Sequence, residues 1–452
     1  MDTKKILTIA LVGCCLLTGA ALADSPFWEP EILGLLGESA QEGVGELDQL
    51  PQQALDRVGE EVDFVLSSPD VTGYVVKNRG AVVWSEEIND LGASYIAVHF
   101  SGFDLPAGAS LLVRSPDGSR AWKYEGRGNS VDGTGFWGIP IHGDTAVLEL
   151  HAKVEVAADA IVIDRYARGF PRALGPMVAE KAICGSDDAD WAKCYQSSEA
   201  TAYGKARAVA RLLINGTSAC TGWLIGDEGH VMTNQHCIGN SSTAANTSFE
   251  FMAEGATCST SCSSWFACPG TVVATTSTLI KTSSRYDYAL VQLPSNVSGT
   301  YGFLQLRSSG AQNGERIYIP QHPAAWGKQI AIESSQDSSG FCEVYSLSEP
   351  PCSGRRNDKD VGYFCDTQGG SSGSPVLGYS DHQVVALHHC ANCPNRGVPI
   401  QDVIGDLGSA LPNNAVVGGG GPSCKAAGES CSAGSECCSG NCKGKAGAKT
   451  CK

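Results

Sequence analysis

A chain of 452 residues with 42% hydrophobic and 7% aromatic content is long enough for two or three cores rather than one. Its 54 glycines beside only 18% charged residues point to short strands and many turns, and exclude a long-helix architecture. A net charge of −16 would repel phosphate backbones, which argues against a nucleic-acid partner.

Residues 1–23 read as a secretion signal. Lys4 and Lys5 open it, an apolar stretch too short to span a bilayer follows, and Ala21-Leu22-Ala23 offers a small-residue cleavage site. Leu11-Val12-Gly13-Cys14 permits a rival lipoprotein reading with a very short signal. No later segment has 18 uninterrupted apolar residues, so no membrane partner is expected, and the protein is expected outside the cell or in a periplasm. Residues 24–65 form an acidic lead-in. Residues 66–157 read as a β-sandwich, with strands over 71–76, 81–85, 94–101, 110–114 and 145–154. Ser115-Pro116-Asp117-Gly118 is a β-turn sequence between two of them. A linker over 158–181 follows, and residues 24–181 carry 25 acidic and 12 basic residues, a net of −13.

Residues 182–411 are again β-rich, with strands over 209–214, 221–225, 288–293, 316–319 and 384–387 and a helix near 403–411. The whole is therefore expected to be all-β. Residues 412–423 are a Gly-rich linker and 424–452 a small Cys-rich module. Cys14 and Cys15 leave with the signal. The remaining 18 cysteines split into 12 from Cys184 to Cys393 and six from Cys424 to Cys451. An even number in an oxidising compartment implies disulfides.

Three segments carry chemistry. Asp366-Thr367-Gln368-Gly369-Gly370-Ser371-Ser372-Gly373-Ser374-Pro375 can present the Ser372 hydroxyl beside the backbone N–H groups of Gly370 and Ser372, the arrangement an oxyanion requires. Taken alone it would be an ordinary Gly/Ser-rich loop. Val231-Met232-Thr233-Asn234-Gln235-His236-Cys237 supplies a positioned base, which a serine hydroxyl needs to become a nucleophile. Cys220 sits where it can bridge to Cys237 and fix that histidine. Ser284-Arg285-Tyr286-Asp287-Tyr288 opens a strand with an acid able to orient the far imidazole nitrogen. Asp337, Asp358 and Asp360 lie in polar loops and read as solvated charges. His388, His389, Cys390 and Cys393 could be read as zinc ligands, but disulfides are expected of a secreted, Cys-dense chain, so no metal is called.

The order His, Asp, Ser and the wording of these segments resemble the chymotrypsin family (trypsin-like peptidases) over residues 182–411, and especially secreted bacterial proteases of the lysyl endopeptidase type. The resemblance implies two packed six-stranded barrels, a triad of His236, Asp287 and Ser372, and peptide or protein substrates. It also implies a monomer without a cofactor. It places Asp366, His388 and Gly397 at the substrate pocket, with Asp366 as the acid that selects Lys or Arg. It pairs Cys220 with Cys237, Cys194 with Cys258, and Cys184 with Cys390 or Cys393. The chain departs from the family at Ser371, where trypsin-like enzymes carry the activation aspartate, and at Leu387-His388-His389-Cys390, where lysyl endopeptidases read Leu-His-Gly-Gly. By the runs Phe103-Asp104-Leu105-Pro106-Ala107-Gly108-Ala109-Ser110-Leu111 and Glu149-Leu150-His151, residues 66–157 resemble the pro-regions of the same proteases, with a mature binding module as the alternative, and a cut after Lys181 is expected to release the acidic region 24–181. The tail resembles knottins, which implies bridges Cys424–Cys438, Cys431–Cys442 and Cys437–Cys451. The alternatives are an inactive protease fold kept for binding, or a knottin toxin or adhesin that the protease releases. The first would require a damaged triad or oxyanion loop, and both are intact.

Overall fold

The computed structural model describes residues 55–70, 82–131, 133–171, 183–354, 356–417, 430, 442–445 and 448–451. All lie in one compact unit, Leu47–Lys452; a second unit, Met1–Glu46, lies outside the described residues. The expected signal, the strand over 71–76, the Lys181 cut and the knottin bridges also fall outside them. In the tail, Cys442–Lys445 pairs antiparallel with Ala448–Cys451.

The chain is all-β. Its N-terminal sandwich has one sheet of Gly59–Ser67, Ile161–Gly169, Tyr95–Phe103 and Phe136–Trp137, with Ile141–His142 also pairing to Tyr95–Phe103. The other sheet is Val82–Asn89, Thr145–Ala152, Ala109–Arg114 and Ala121–Tyr124. Side chains alternate across a pleat, so Ala109, Leu111 and Val113 enter the core while Arg114 stays at the surface, ion-paired to Glu149. The Ser115 turn closes as expected, with Gly118 N–H donating to Ser115 O at 3.0 Å. The sandwich spans residues 59–169, wider than the expected 66–157. Gly59–Ser67 pairs with Ile161–Gly169 as an edge strand, and its outward Glu60, Glu61 and Asp63 hide its apolar positions in the sequence.

The following region has two sheets. The first contains Thr271–Ala274, Thr247–Phe251, Val209–Ile214, Ser218–Ile225, His230–Thr233, Tyr288–Gln292 and Thr278–Ser283. The second contains Asp190–Trp191, Gln329–Ala331, Ile317–Gln321, Pro375–Gly378, Val384–Cys390, Asn395–Pro399, Asp360–Tyr363 and Val344–Glu349. Short strands of two to four residues, such as Asp190–Trp191 and Thr271–Ala274, carry each count past the expected six. One apolar cluster, from Leu212, Trp223 and Leu290 to Leu377 and Leu387, joins the two sheets. The helix Ile400–Leu407 buries Ile400, Val403 and Leu407, one face at helical spacing, and stops at Gly408 with φ +54°. Packing continues past the expected boundary at 411, because Ala415 is buried and Leu306 N–H donates to its carbonyl at 2.7 Å.

The sandwich shares a core with the first sheet. Tyr95, Ala97, Trp137 and Ala167 cluster with Leu213, Ala219, Phe266 and Ala325. Tyr95 Oη donates to Gly216 O at 2.8 Å, and Trp137 N–H to Asn246 Oδ1 at 2.9 Å. His142 lies 3.1 Å from Glu250, whose carboxylate also holds the fully buried Arg211.

Among the described residues the disulfides are Cys184–Cys393, Cys194–Cys258, Cys220–Cys237, Cys262–Cys268 and Cys352–Cys390. Cys184 thus takes Cys393 rather than Cys390. Cys342 and Cys365 depart from the expectation of full pairing. They are buried thiols in hydrogen-bond contact with each other, on adjacent chain segments that flank the pair Val344 and Tyr363.

Candidate active site

His236 and Asp287 come together because their strands are antiparallel neighbours, with Thr233 opposite Ala289 just inside both. Asp287 Oδ1 accepts from His236 N–H at 3.0 Å, and Oδ2 contacts His236 Nδ1 at 2.8 Å. Asn234 Nδ2 donates to Asp287 O at 2.8 Å. These bonds hold Asp287 in left-handed backbone, φ +41°, a costly conformation for a residue with a side chain. Burial would raise the Asp287 pKa, but the charges and hydrogen bonds of His236 and His389 outweigh it and hold the carboxyl well below the usual range. Cys220–Cys237 ties the residue after His236 to the neighbouring strand.

Ser372 sits on a loop pinned from several sides. Thr221 N–H donates to Ser372 O at 2.9 Å, and Gly373 N–H to His388 O at 2.9 Å. Ser371, fully buried, fastens the loop to itself: its N–H donates to Gln368 O at 3.0 Å and its Oγ accepts from Gln368 N–H at 3.2 Å. Gly370 has φ +89°, and a Cβ there would lie 3.0 Å from His322 O, so the turn that exposes its N–H needs glycine. That N–H donates to Asp56 Oδ2 at 2.8 Å. Cys237 Sγ lies 4.0 Å from Ser372 O, so the loop abuts the histidine segment. Among the described residues, Ser372 Oγ and His236 Nε2 share no hydrogen bond.

The structure gives the three expected pocket residues other surroundings. Both Asp366 oxygens are engaged, accepting from Cys184 N–H and Asp188 N–H at 2.7 Å each. Burial raises its pKa to about 6 against those two bonds. Asp366 therefore anchors the segment 184–188 rather than standing open to a basic side chain. His388 is buried, 2.7 Å from Tyr363 Oη, and burial with the neighbouring His389 and His236 charges lowers its pKa to about 3. Gly397 faces His388 across a strand pair, and a Cβ there would meet Leu387 O at 3.0 Å.

Sequence reasoning gave His389 no role beside Asp287 and misread Asp360 as solvated. His389 Nδ1 lies 3.2 Å from Asp287 Oδ2 and 3.1 Å from Ser353 Oγ, while Nε2 lies 3.0 Å from Asp360 Oδ2. Asp360 is buried, not solvated. Burial alone would lower the His389 pKa, but Asp360 and Asp287 together raise it to about 9. No local pattern marks this pair, because Asp360 and His389 sit on different strands.

A family model for a trypsin-like peptidase domain matches residues 220–387. The chain is similar to the secreted RxLR effector protein 73 of Plasmopara viticola, 43% identical over 341 residues, which cover 72% of this chain and 82% of the relative. Among solved structures it is similar to the Rv3671c protease in an inactive form, at 15% identity and TM-score 0.34, covering 48% of this chain and 95% of that one. It is also similar to a Glu endopeptidase in complex with MPD, at 18% identity and TM-score 0.33, covering 49% and 95%.

Proposed function

Because the chain belongs to the family of the secreted RxLR effector protein 73 of Plasmopara viticola and carries a trypsin-like peptidase domain, we propose that it is a secreted serine endopeptidase made as a precursor. In this reading Ser372 attacks the scissile carbonyl while His236 takes its proton. Asp287 fixes the imidazole and offsets its charge, and the Gly370 and Ser372 N–H groups receive the oxyanion. His236 then returns the proton to the leaving amine, and water hydrolyses the acyl-enzyme by the same steps. The observation that carries the proposal is the double engagement of Asp287 by His236, through the backbone at 3.0 Å and the ring at 2.8 Å, beside the Gly370–Ser372 turn. Residues 24–181 would be the pro-region, cut after Lys181. A preference for Lys or Arg before the cut bond rests on the family resemblance alone, since Asp366 is already engaged.

The test uses purified precursor and mature protein. Ser372→Ala should lower peptide hydrolysis by several orders of magnitude and abolish labelling by a fluorophosphonate, and His236→Ala should be about as severe, because such residues act as a unit. Mass spectrometry of a digested denatured protein reads activity and cleavage preference together. Full activity in either variant would sink the assignment.

A further inference from the structure

The segment leading into the sandwich also reaches the candidate cleft. Asp56–Arg57 adds an antiparallel strand to Ser218–Ile225, with Asp56 opposite Ala219 and Arg57 opposite Ser218. That edge is open because His230–Thr233 pairs with the same strand only at Trp223, Leu224 and Ile225. Next along the chain, Val58 and Gly59 N–H groups donate to Thr217 O at 2.8 and 3.2 Å.

The pairing aims the Asp56 side chain at the serine loop, where Oδ2 accepts from Gly370 N–H at 2.8 Å. Gly369 makes the room, since a Cβ there would collide with the carboxylate. Burial raises the Asp56 pKa, while the Gly370 bond and the nearby His236 charge draw it back, which places the carboxylate within electrostatic reach of both. A peptide bond under attack would put its developing negative oxygen on the same N–H. An ionised carboxylate is an anion of that kind, present before any substrate arrives, and a donor already engaged has nothing left for a substrate.

We infer that residues 55–58 occupy the rim of the cleft as a docked strand, and that the Asp56 carboxylate fills the oxyanion position and holds the site closed. The surface thereby fits one kind of partner, an extended peptide that adds to the edge at Ser218 and Ala219 and presents an acidic side chain to Gly370. Here the partner is the chain's own N-terminal segment, and the covalent link through the sandwich gives it a high effective concentration. The inference rests on the peptidase reading for its consequence, not for its geometry.

The experiment compares full-length wild type, Asp56→Asn and Asp56→Ala. The first substitution keeps shape and removes charge; the second removes the side chain. One readout is the rate of fluorophosphonate labelling at Ser372, with Ser372→Ala as blank. The other is deuterium exchange at the Gly370 amide, measured in a Ser372→Ala background so that no proteolysis intervenes. Both Asp56 variants should label about tenfold faster or more, as loss of a charge-assisted hydrogen bond allows, and should exchange Gly370 faster. Unchanged Gly370 exchange in both variants overturns the docking. Wild-type labelling as fast as the variants overturns the inhibition. Faster Gly370 exchange with no labelling of any protein, including chain cut after Lys181, leaves the docked carboxylate standing and refutes the peptidase reading instead.

Discussion

His389 is a buried imidazole between two buried carboxylates, Asp287 at 3.2 Å and Asp360 at 3.0 Å. Such a group is stable only as a cation, since its partners would otherwise be uncompensated charges out of water. Its folded pKa of about 9 exceeds the ordinary 6.5. The unfolded chain therefore releases its proton first as pH rises. The stabilisation is complete below about pH 6.5 and is lost as pH climbs through about 9. In the Ser372→Ala background, His389→Gln should cost roughly 3 kcal/mol near neutral pH, and the gap to the parent should close toward pH 10. Urea unfolding across that range checks this; a gap independent of pH would show that His389 is not held as a cation. Nothing in the local sequence signals this role. His236 and Asp287 stand out because each sits at a strand end within a distinctive run, whereas Asp360 and His389 acquire meaning only when Asp360–Tyr363 and Val384–Cys390 come together around Asn395–Pro399.

At the scale of elements, the segment 184–188 is tied to the second sheet by the Asp366 carboxylate and by Cys184–Cys393. A new chain end created at Lys181 would lie close to this anchor in sequence and need not insert into a pocket, in keeping with Ser371 where an activation aspartate would stand. Asp366→Asn keeps one acceptor and loses the other. It should destabilise the fold by about 1–2 kcal/mol and leave the residue preferred before the cut bond unchanged. Chemical denaturation and a mass-spectrometric digest report the two effects separately; a changed preference would return Asp366 to the pocket. Much of this level was legible. The strand over 209–214 was readable because every residue from Val209 to Ile214 is buried and all but Arg211 are apolar. The two-residue strand Asp56–Arg57 was not, since two polar residues carry no period and their partners are supplied by a distant sheet.

At the scale of the molecule, the sandwich and the first sheet bury one another. Tyr95 and Trp137 share a cluster with Phe266 and Ala219, and His142 completes the surroundings of Arg211 and Glu250. Separating them would expose apolar surface and open the Arg211–Glu250 pair to water. After a cut at Lys181 the two fragments should co-elute on size exclusion and part only in denaturant or when the sandwich is digested. Separate elution in plain buffer would contradict the shared core. The same core has a consequence for biogenesis. The strands from Gly59 to Gly169 are all synthesised before Val209, so the sandwich can be complete while the sheets that follow are still emerging. Contacts such as Asp56 to Gly370 span 314 positions, and pairings that distant are the slow ones. A finished face bearing Tyr95 and Trp137 offers the first sheet a surface to assemble against, so the sandwich shapes the search for the native state before any bond is cut.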